Sequence, residues 1–320
     1  MARIGYFLSC EEFGPRELVE QARMAQDAGF GALWISDHYH PWNGAQGQSG
    51  FVWAVIGAIC QAVSLPITTA VTCPTVRVHP AVVAQAAATA AVLTDGRFTL
   101  GVGSGEALNE HITGAPWPPA RVRLEMLAEA VEIIRALWSG EPVDHRGRYY
   151  TVENARPYTL PERPPEIYVS GFGPRSTEVA ARIGDGYIST MPDAHLVKTF
   201  RELGGADKRA QAGLKVCWGT DRAAAARTAH ERWANELLPG EPAQVLPQPA
   251  HFEQAAQLVT PEMSAGHFVC GDDAGEHLER IGAYFEAGFD TVFVNQIGPE
   301  QRGFFEFYAK RILSELETGL

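Results

Sequence analysis

Short apolar runs rich in β-branched and aromatic residues recur along the chain. Between them lie longer stretches whose apolar residues return with helical spacing. The short runs predict strands over 2–9, 32–38, 66–72, 98–105, 166–171, 186–190, 213–218 and 291–296. Most show no strict polar–apolar alternation, as expected of parallel strands buried on both faces. Pro15 suits a first helical turn, Leu18, Ala22 and Ala25 form one stripe, and Gly29 ends that helix. Leu124, Leu127, Val131, Ile134 and Trp138 predict a helix over 121–139, and Phe304, Tyr308 and Ile312 one over about 301–315. Core packing accounts for these stripes.

Such alternation admits a closed (β/α)8 TIM barrel or a doubly wound open sheet. The barrel is favoured because polar residues recur at strand ends: Asp37-His38, Thr72, Ser104 to Glu106, Gly171 and Thr190. A barrel gathers those ends into one ring, whereas an open sheet spreads them along a line. Two insertions interrupt the pattern. Residues 142–151 read as a β-hairpin turning at Gly147. Residues 239–265, rich in Pro and Gln, read as a long loop, with 267–270 an extra strand. The 239–270 stretch is expected to be a lid within a single domain covering 1–320.

Composition narrows the function. A chain of 320 residues, 46% hydrophobic, suffices for one large barrel. A net charge of -12 argues against nucleic acid or an anionic membrane as partner and leaves a small-molecule substrate. Five scattered cysteines without a CxxC pair suit a reducing cytoplasm. The N-terminus lacks the basic and apolar regions of a signal peptide, and no apolar run is long enough to span a membrane.

Four constellations carry candidate chemistry. Ser36-Asp37-His38-Tyr39-His40-Pro41-Trp42 closes the second strand. His38 there is a candidate general acid or base, or a strand cap. Gly101 to Glu110 (GVGSGEALNE) places glycines where a backbone could approach a flat or phosphorylated ligand. Its spacing is not GxGxxG, so a Rossmann site is a poor reading. Glu106 is a candidate proton donor, or a carboxylate favouring a helix start. Ser170-Gly171-Phe172-Gly173-Pro174 is a candidate phosphate turn at a helix N-terminus. Val71-Thr72-Cys73-Pro74 could support a planar cofactor. His38-x-His40 raises a metal reading, but the remaining histidines fall in loops or helices, and no metal site is expected.

Together these motifs resemble the F420-dependent members of the luciferase-like (β/α)8 family, above all the group containing F420-dependent glucose-6-phosphate dehydrogenase. The segments carrying the likeness are GYFLSCEEFGPRELVE, SDHYHPW, AVTCPT with HPAVVAQA, LGVGSGEALNE, YYTVENA, GDGYIST and the final helix, spread over nearly the whole chain. The resemblance implies coenzyme F420 as hydride partner and a homodimer. It implies His38 as the base acting on a substrate hydroxyl, Trp42 beside the reacting centre, Glu106 as the acid serving the coenzyme and Glu11 as a pocket carboxylate. Asp37, Ser104, Gly105, Asn109 and Thr190 match coenzyme contacts. Ala70 and Val71 match a bulge with a non-prolyl cis peptide behind the ring. Gly171, Phe172 and Gly173 match the phosphate turn, although Phe172 stands where a glycine is usual. A lysine and an arginine that clamp phosphate in the sugar-phosphate enzymes are replaced by Met191-Pro192-Asp193 and Ala265-Gly266-His267. The expected activity is therefore an F420-dependent dehydrogenase or reductase acting on an uncharged alcohol, carbonyl or alkene rather than on glucose 6-phosphate. The alternatives are an FMN-dependent monooxygenase of the same fold, a non-catalytic cofactor carrier and a metal hydrolase.

Overall fold

A computed structural model of the chain describes residues 3–319. Its strands are β1 Arg3–Leu8, β2 Leu33–Ile35, β3 Ile67–Thr69, β4 Phe98–Val102, β5 Val143–Arg146, β6 Thr151–Ala155, β7 Ile167–Ser170, β8 Gly186–Ser189, β9 Arg209–Cys217, β10 Val269–Cys270 and β11 Thr291–Gln296. Parallel pairing runs from β1 through β2, β3, β4, β7, β8, β9 and β11 and returns to β1, closing a barrel of eight strands. Each predicted strand lies in that wall, and helices fill the connections. β10 is the extra strand expected near 267–270. It pairs with Val216 and Cys217, while β8 pairs with the start of β9 at 209–212, so β10 takes up the edge that β8 leaves.

The barrel interior is a packed core. Trp34 stacks on Phe293 with ring centroids 4.5 Å apart, and Phe7 meets Trp34 edge-on at 5.6 Å. Tyr168 and Ile188 complete the layer, and Ala70 and Val71 lie against it on the rim side. Rings of this size fit because glycines face them. A Cβ at Gly5 would lie 2.3 Å from the Phe293 ring, one at Gly213 2.8 Å from Trp34, and one at Gly186 2.6 Å from Tyr168. Large side chains opposite glycines fill the interior without voids. The larger apolar core lies between the wall and the helices, where Leu18, Ala22, Leu127, Val131, Ile134, Phe304, Tyr308 and Ile312 bury the predicted stripes.

Several elements differ from the sequence expectations, among them β2, β3 and β4, which end at Ile35, Thr69 and Val102, short of the predicted 38, 72 and 105. The hairpin is present, but its second strand runs on to Ala155. β9 starts at Arg209, ahead of the predicted 213; its polar Arg209 and Gln211 hide the strand, and Gln211 accepts from the Trp34 indole N–H at 2.7 Å. The 239–265 stretch is not a loop. It forms helices Pro242–Val245, Pro249–Ala256 and Pro261–His267. Each opens on a proline, which lacks the N–H that a first helical turn leaves unpaired, so prolines that suggested a loop are helix starts. The final helix continues from Gln301–Phe307 through a π-helical turn into Ser314–Gly319. Among the described residues no helix is long and apolar enough to cross a membrane.

A pair of substitutions tests the packing. Gly5→Ala drives a methyl into Phe293 and is expected to lower stability by about 1–3 kcal/mol in urea unfolding. Gly57→Ala, in the helix Val52–Cys60 with nothing within 4 Å, is expected to raise it by about 0.5–1 kcal/mol. Equal effects at the two positions would contradict the tight interior.

Candidate active site

The wall sends the segments after β1, β2, β3 and β4 to one end of the barrel. Glu11 follows β1, and Ser36 to Trp42 follow β2. The Ala70–Val71 bulge, joined by a cis peptide, follows β3, and Ser104 to Asn109 follow β4. At this rim His38 is half-buried and places Nε2 3.3 Å from Glu11 Oε1. The other carboxylate oxygen, Oε2, accepts from the hydroxyls of Ser9 at 2.9 Å and Ser36 at 2.6 Å. Ser36 in turn accepts from the backbone N–H of Cys10. The far nitrogen of the ring, His38 Nδ1, lies 3.1 Å from Asn109 Nδ2, and the same Nδ2 lies 3.5 Å from Glu106 Oε2. The imidazole of His38 and the carboxyls of Glu11 and Glu106 thus share one rim.

Glu106 precedes the short helix Ala107–Glu110, makes no side-chain capping bond to it and remains half-buried. Gly105 before it has φ +87°, a left-handed conformation that favours glycine, and turns the chain from strand into helix. Trp42 stands against His38 with centroids 5.1 Å apart and against Phe252 at 5.1 Å. Phe252 belongs to the Pro-initiated helices after β9, which also reach the rim through Gln244: its carbonyl accepts from the Trp117 indole and its side chain from Arg123.

The other sequence candidates have these surroundings. Asp37 is buried, with one oxygen 2.8 Å from Arg77 Nη2 and the other accepting from the Thr72 hydroxyl at 2.8 Å. Asn109 is also buried, and its Oδ1 accepts from the N–H groups of Tyr39 and His40. Ala70, Val71, Ser104 and Thr190 are half-buried. Gly171 is buried, Phe172 exposed and Gly173 intermediate. The amides of Phe172 and Gly173 converge on one point, each 3.1 Å from Ser176 Oγ. His40 turns away from His38, with Nδ1 2.8 Å from Leu108 O and its ring stacked on His111.

Two ionic groups escaped the sequence reading. Arg77 lies between Asp37 and Glu110. Burial pulls its pKa down, but the Asp37 carboxylate and then Glu110 more than reverse this and keep the guanidinium charged. Burial raises the Glu110 pKa, although the Arg77 and Val76 amides and the Arg77 charge work against it. The second group is Lys215, Glu236 and His267. Lys215 lies 2.7 Å from Glu236, and His267 lies 3.6 Å from it. Lys215 also sits 4.2 Å over the Trp233 ring. Gly213 faces the interior, so Lys215 two residues on faces inward near the mouth. Trp233 shares an apolar cluster with Trp42, which puts this group on the His38 side of the rim. Burial alone would raise the Glu236 pKa, yet the Lys215 charge and the hydrogen bonds from His267 and Lys215 hold it at about 2. A charged residue inside an apolar strand run was the available signal for Lys215.

The thiols beside the rim are poor nucleophiles. Burial, with Glu11 near Cys10 and Glu106 near Cys73, pushes both well above the usual thiol range.

Residues 1–291 match the family described as luciferase-like monooxygenase. The chain is 36% identical to the F420-dependent glucose-6-phosphate dehydrogenase of Beutenbergia cavernae, covering 99% of this chain and 98% of that one. Among solved structures, an F420-dependent secondary alcohol dehydrogenase in complex with an F420-acetone adduct superposes with a TM-score of 0.90 and 31% identity, covering 97% of this chain and 98% of that one. The oxygenating constituent of 3,6-diketocamphane monooxygenase of Pseudomonas putida, in complex with FMN, covers 98% of this chain and 99% of its own at a TM-score of 0.72, but at 18% identity it shares the fold alone.

The Glu236 pairing predicts an acid response. Its folded pKa, about 2, lies below the ordinary 4.5, so the stability it adds is complete above pH 4.5 and is lost as the pH falls toward 2. Glu236→Gln is therefore expected to flatten the decline of the unfolding midpoint across that window. A decline as steep as that of the unaltered protein would refute the pairing.

Proposed function

The chain belongs to the luciferase-like monooxygenase family, and we propose that within it this protein is an F420-dependent oxidoreductase. In this reading it moves a hydride between coenzyme F420 and a small uncharged alcohol, carbonyl or alkene. The observation that carries the proposal is the convergence of His38, Glu11 and Glu106 on one rim, with both His38 and Glu106 within reach of the Asn109 amide.

The rim fits a flat ring system. A Cβ at Gly103 would lie 2.6 Å from Val71 Cγ2 and 2.8 Å from Ser170 Oγ, so glycine keeps the wall behind the bulge low. Ala70 and Val71 supply an apolar floor. Ser104, Gly105, Glu106 and Asn109 stand at one edge, Asp37 is held there by Arg77 and Thr72, and Thr190 follows β8 beside Gly213 of β9. The convergent amides of Phe172 and Gly173 hold a hydroxyl oxygen of Ser176 where a phosphate oxygen of the coenzyme tail could take its place. When bound, F420 supplies a deazaflavin that exchanges electrons in pairs as hydride. The chain's own tasks are to orient the substrate and to manage protons. Trp42 walls the reacting position, His38 and Glu11 handle the proton on the substrate oxygen, and Glu106 handles the one on the coenzyme side. A cytoplasmic homodimer accompanies this reading.

Charge pairing supports an uncharged substrate. A phosphate dianion needs unpaired cations, yet Lys215 is bound to Glu236, and His267 leans on the same carboxylate. Asp193 is a helix cap, accepting from the amides of His195 and Leu196, so it adds negative charge where the sugar-phosphate enzymes carry a lysine.

Titration with F420 followed by fluorescence is expected to show saturable binding in the micromolar range or tighter; no binding at high micromolar coenzyme would end the proposal. His38→Ala is expected to keep coenzyme affinity while lowering kcat/KM on the order of 10²–10⁴-fold. Glu236→Gln, which releases Lys215 and His267, is expected to raise kcat/KM for a sugar phosphate relative to an uncharged alcohol. An unchanged ratio would remove the charge account of specificity.

A further inference from the structure

We infer that Asn109 is a positioning residue that selects which nitrogen of His38 carries the proton, making neutral His38 a donor and Glu11 an acceptor toward the substrate oxygen. A primary amide offers one acceptor oxygen and one donor nitrogen. Asn109 Oδ1 lies 2.8 Å from the backbone nitrogen of Tyr39 and 3.2 Å from that of His40. Both are obligatory donors. Flipping the amide would forfeit both bonds and set N–H against N–H, so its orientation is determined by its partners. The NH2 group then faces His38 Nδ1 at 3.1 Å. It can only donate, so Nδ1 must accept, and a neutral imidazole so held keeps its proton on Nε2.

The opposite side agrees. Nε2 faces Glu11 Oε1 at 3.3 Å, while Glu11 Oε2 is occupied by two serine hydroxyls. Ser36 accepts from the Cys10 amide, and its single proton goes to Glu11 at 2.6 Å rather than to the Leu8 carbonyl at 3.5 Å. With both hydroxyls on Oε2, Glu11 Oε1 is left to accept from His38 Nε2–H. The charged and titratable neighbours of His38 are Glu11 from the end of β1, Glu106 across Asn109, and His40 in its own loop; Asp37 is already paired with Arg77.

One contact competes. The carbonyl of His40 lies 3.3 Å from His38 Nδ1 and would favour a proton there. The nearer Asn109 NH2 opposes it. Asn109 is 2% exposed and is held by the helix Ala107–Glu110, so it acts through His38. A substrate hydroxyl would accept from His38 Nε2–H and donate to Glu11, and a carbonyl would accept from the same N–H. The tautomer stands on these contacts alone; its catalytic consequence rests on the proposed function.

The test is long-range 1H–15N NMR of the imidazoles, with His38→Gln used to assign the His38 signals. At alkaline pH the unaltered protein is expected to show His38 Nε2 in the N–H range and Nδ1 in the lone-pair range. Asn109→Asp keeps an acceptor for Tyr39 and His40 but presents a carboxylate oxygen to Nδ1. It is expected to reverse the pattern, placing the proton on Nδ1 and the lone pair on Nε2. A misprotonated imidazole should cost on the order of 10²–10⁴-fold in kcat/KM with an F420-linked substrate. An Nδ1–H tautomer in the unaltered protein would overturn the inference, as would an unchanged tautomer in Asn109→Asp. The spectra need no coenzyme, so failure of the F420 reading would leave them intact and be distinguishable from failure of the inference.

Discussion

Closure of the parallel sheet is the constraint on which the rest of the molecule depends. β8 pairs with the start of β9, β9 with β11, and β11 with β1, joining the late strands to the first. Direct pairing of β1 with β2, β2 with β3 and β3 with β4 sets Glu11, after the first strand, next to His38, after the second, and near Glu106, after the fourth, and closure turns these ends toward those of the late strands. It also forces the interior to be filled from all sides. The stacked Trp34 and Phe293 fit because Gly5 and Gly213 have no side chain to place against them. The rim is then the first level at which polar groups can be accommodated.

At that level hydrogen bonds supply direction that packing does not. From the Cys10 amide to Ser36, Glu11, His38 and Asn109, the shortest contacts give each donor an acceptor, and the chain ends in two backbone amides at Tyr39 and His40. Half-buried groups of this kind are costly when unpaired, so the network resists alternative protonation patterns. An imidazole held in this way keeps one geometry and one tautomer before a ligand arrives, which is preorganisation in a physical sense.

Under the proposed function, proton handling and substrate charge fall to different parts of the rim. The early strands carry His38, Glu11 and Glu106. The later strand β9 and the helices after it carry Lys215, Glu236, His267, Trp233 and Phe252, which line the side toward Trp42. Substrate charge can therefore change through the second set while the first is untouched. In this chain the second set holds its cation paired, Lys215 with Glu236.

The chain itself determined the alternation of eight strands with helices, because runs such as 98–105 and 291–296 are apolar whatever their neighbours, and the stripe of Leu127, Val131 and Ile134 fits a helical period and not a strand's. It also displayed His38, Trp42 and Glu106, because an imidazole, an indole and a carboxylate stand there at strand ends where mere packing would favour aliphatic side chains. Helices opening at Pro242, Pro249 and Pro261 were legible only once the rim gave them something to pack against, since proline serves a helix start and a loop alike. The partners of Asp37, Asn109 and Lys215 were decided by tertiary structure alone. A carboxylate, an amide or an ammonium can bind ligand or protein equally well, and what it binds depends on which distant residues closure of the sheet brings within about 3 Å.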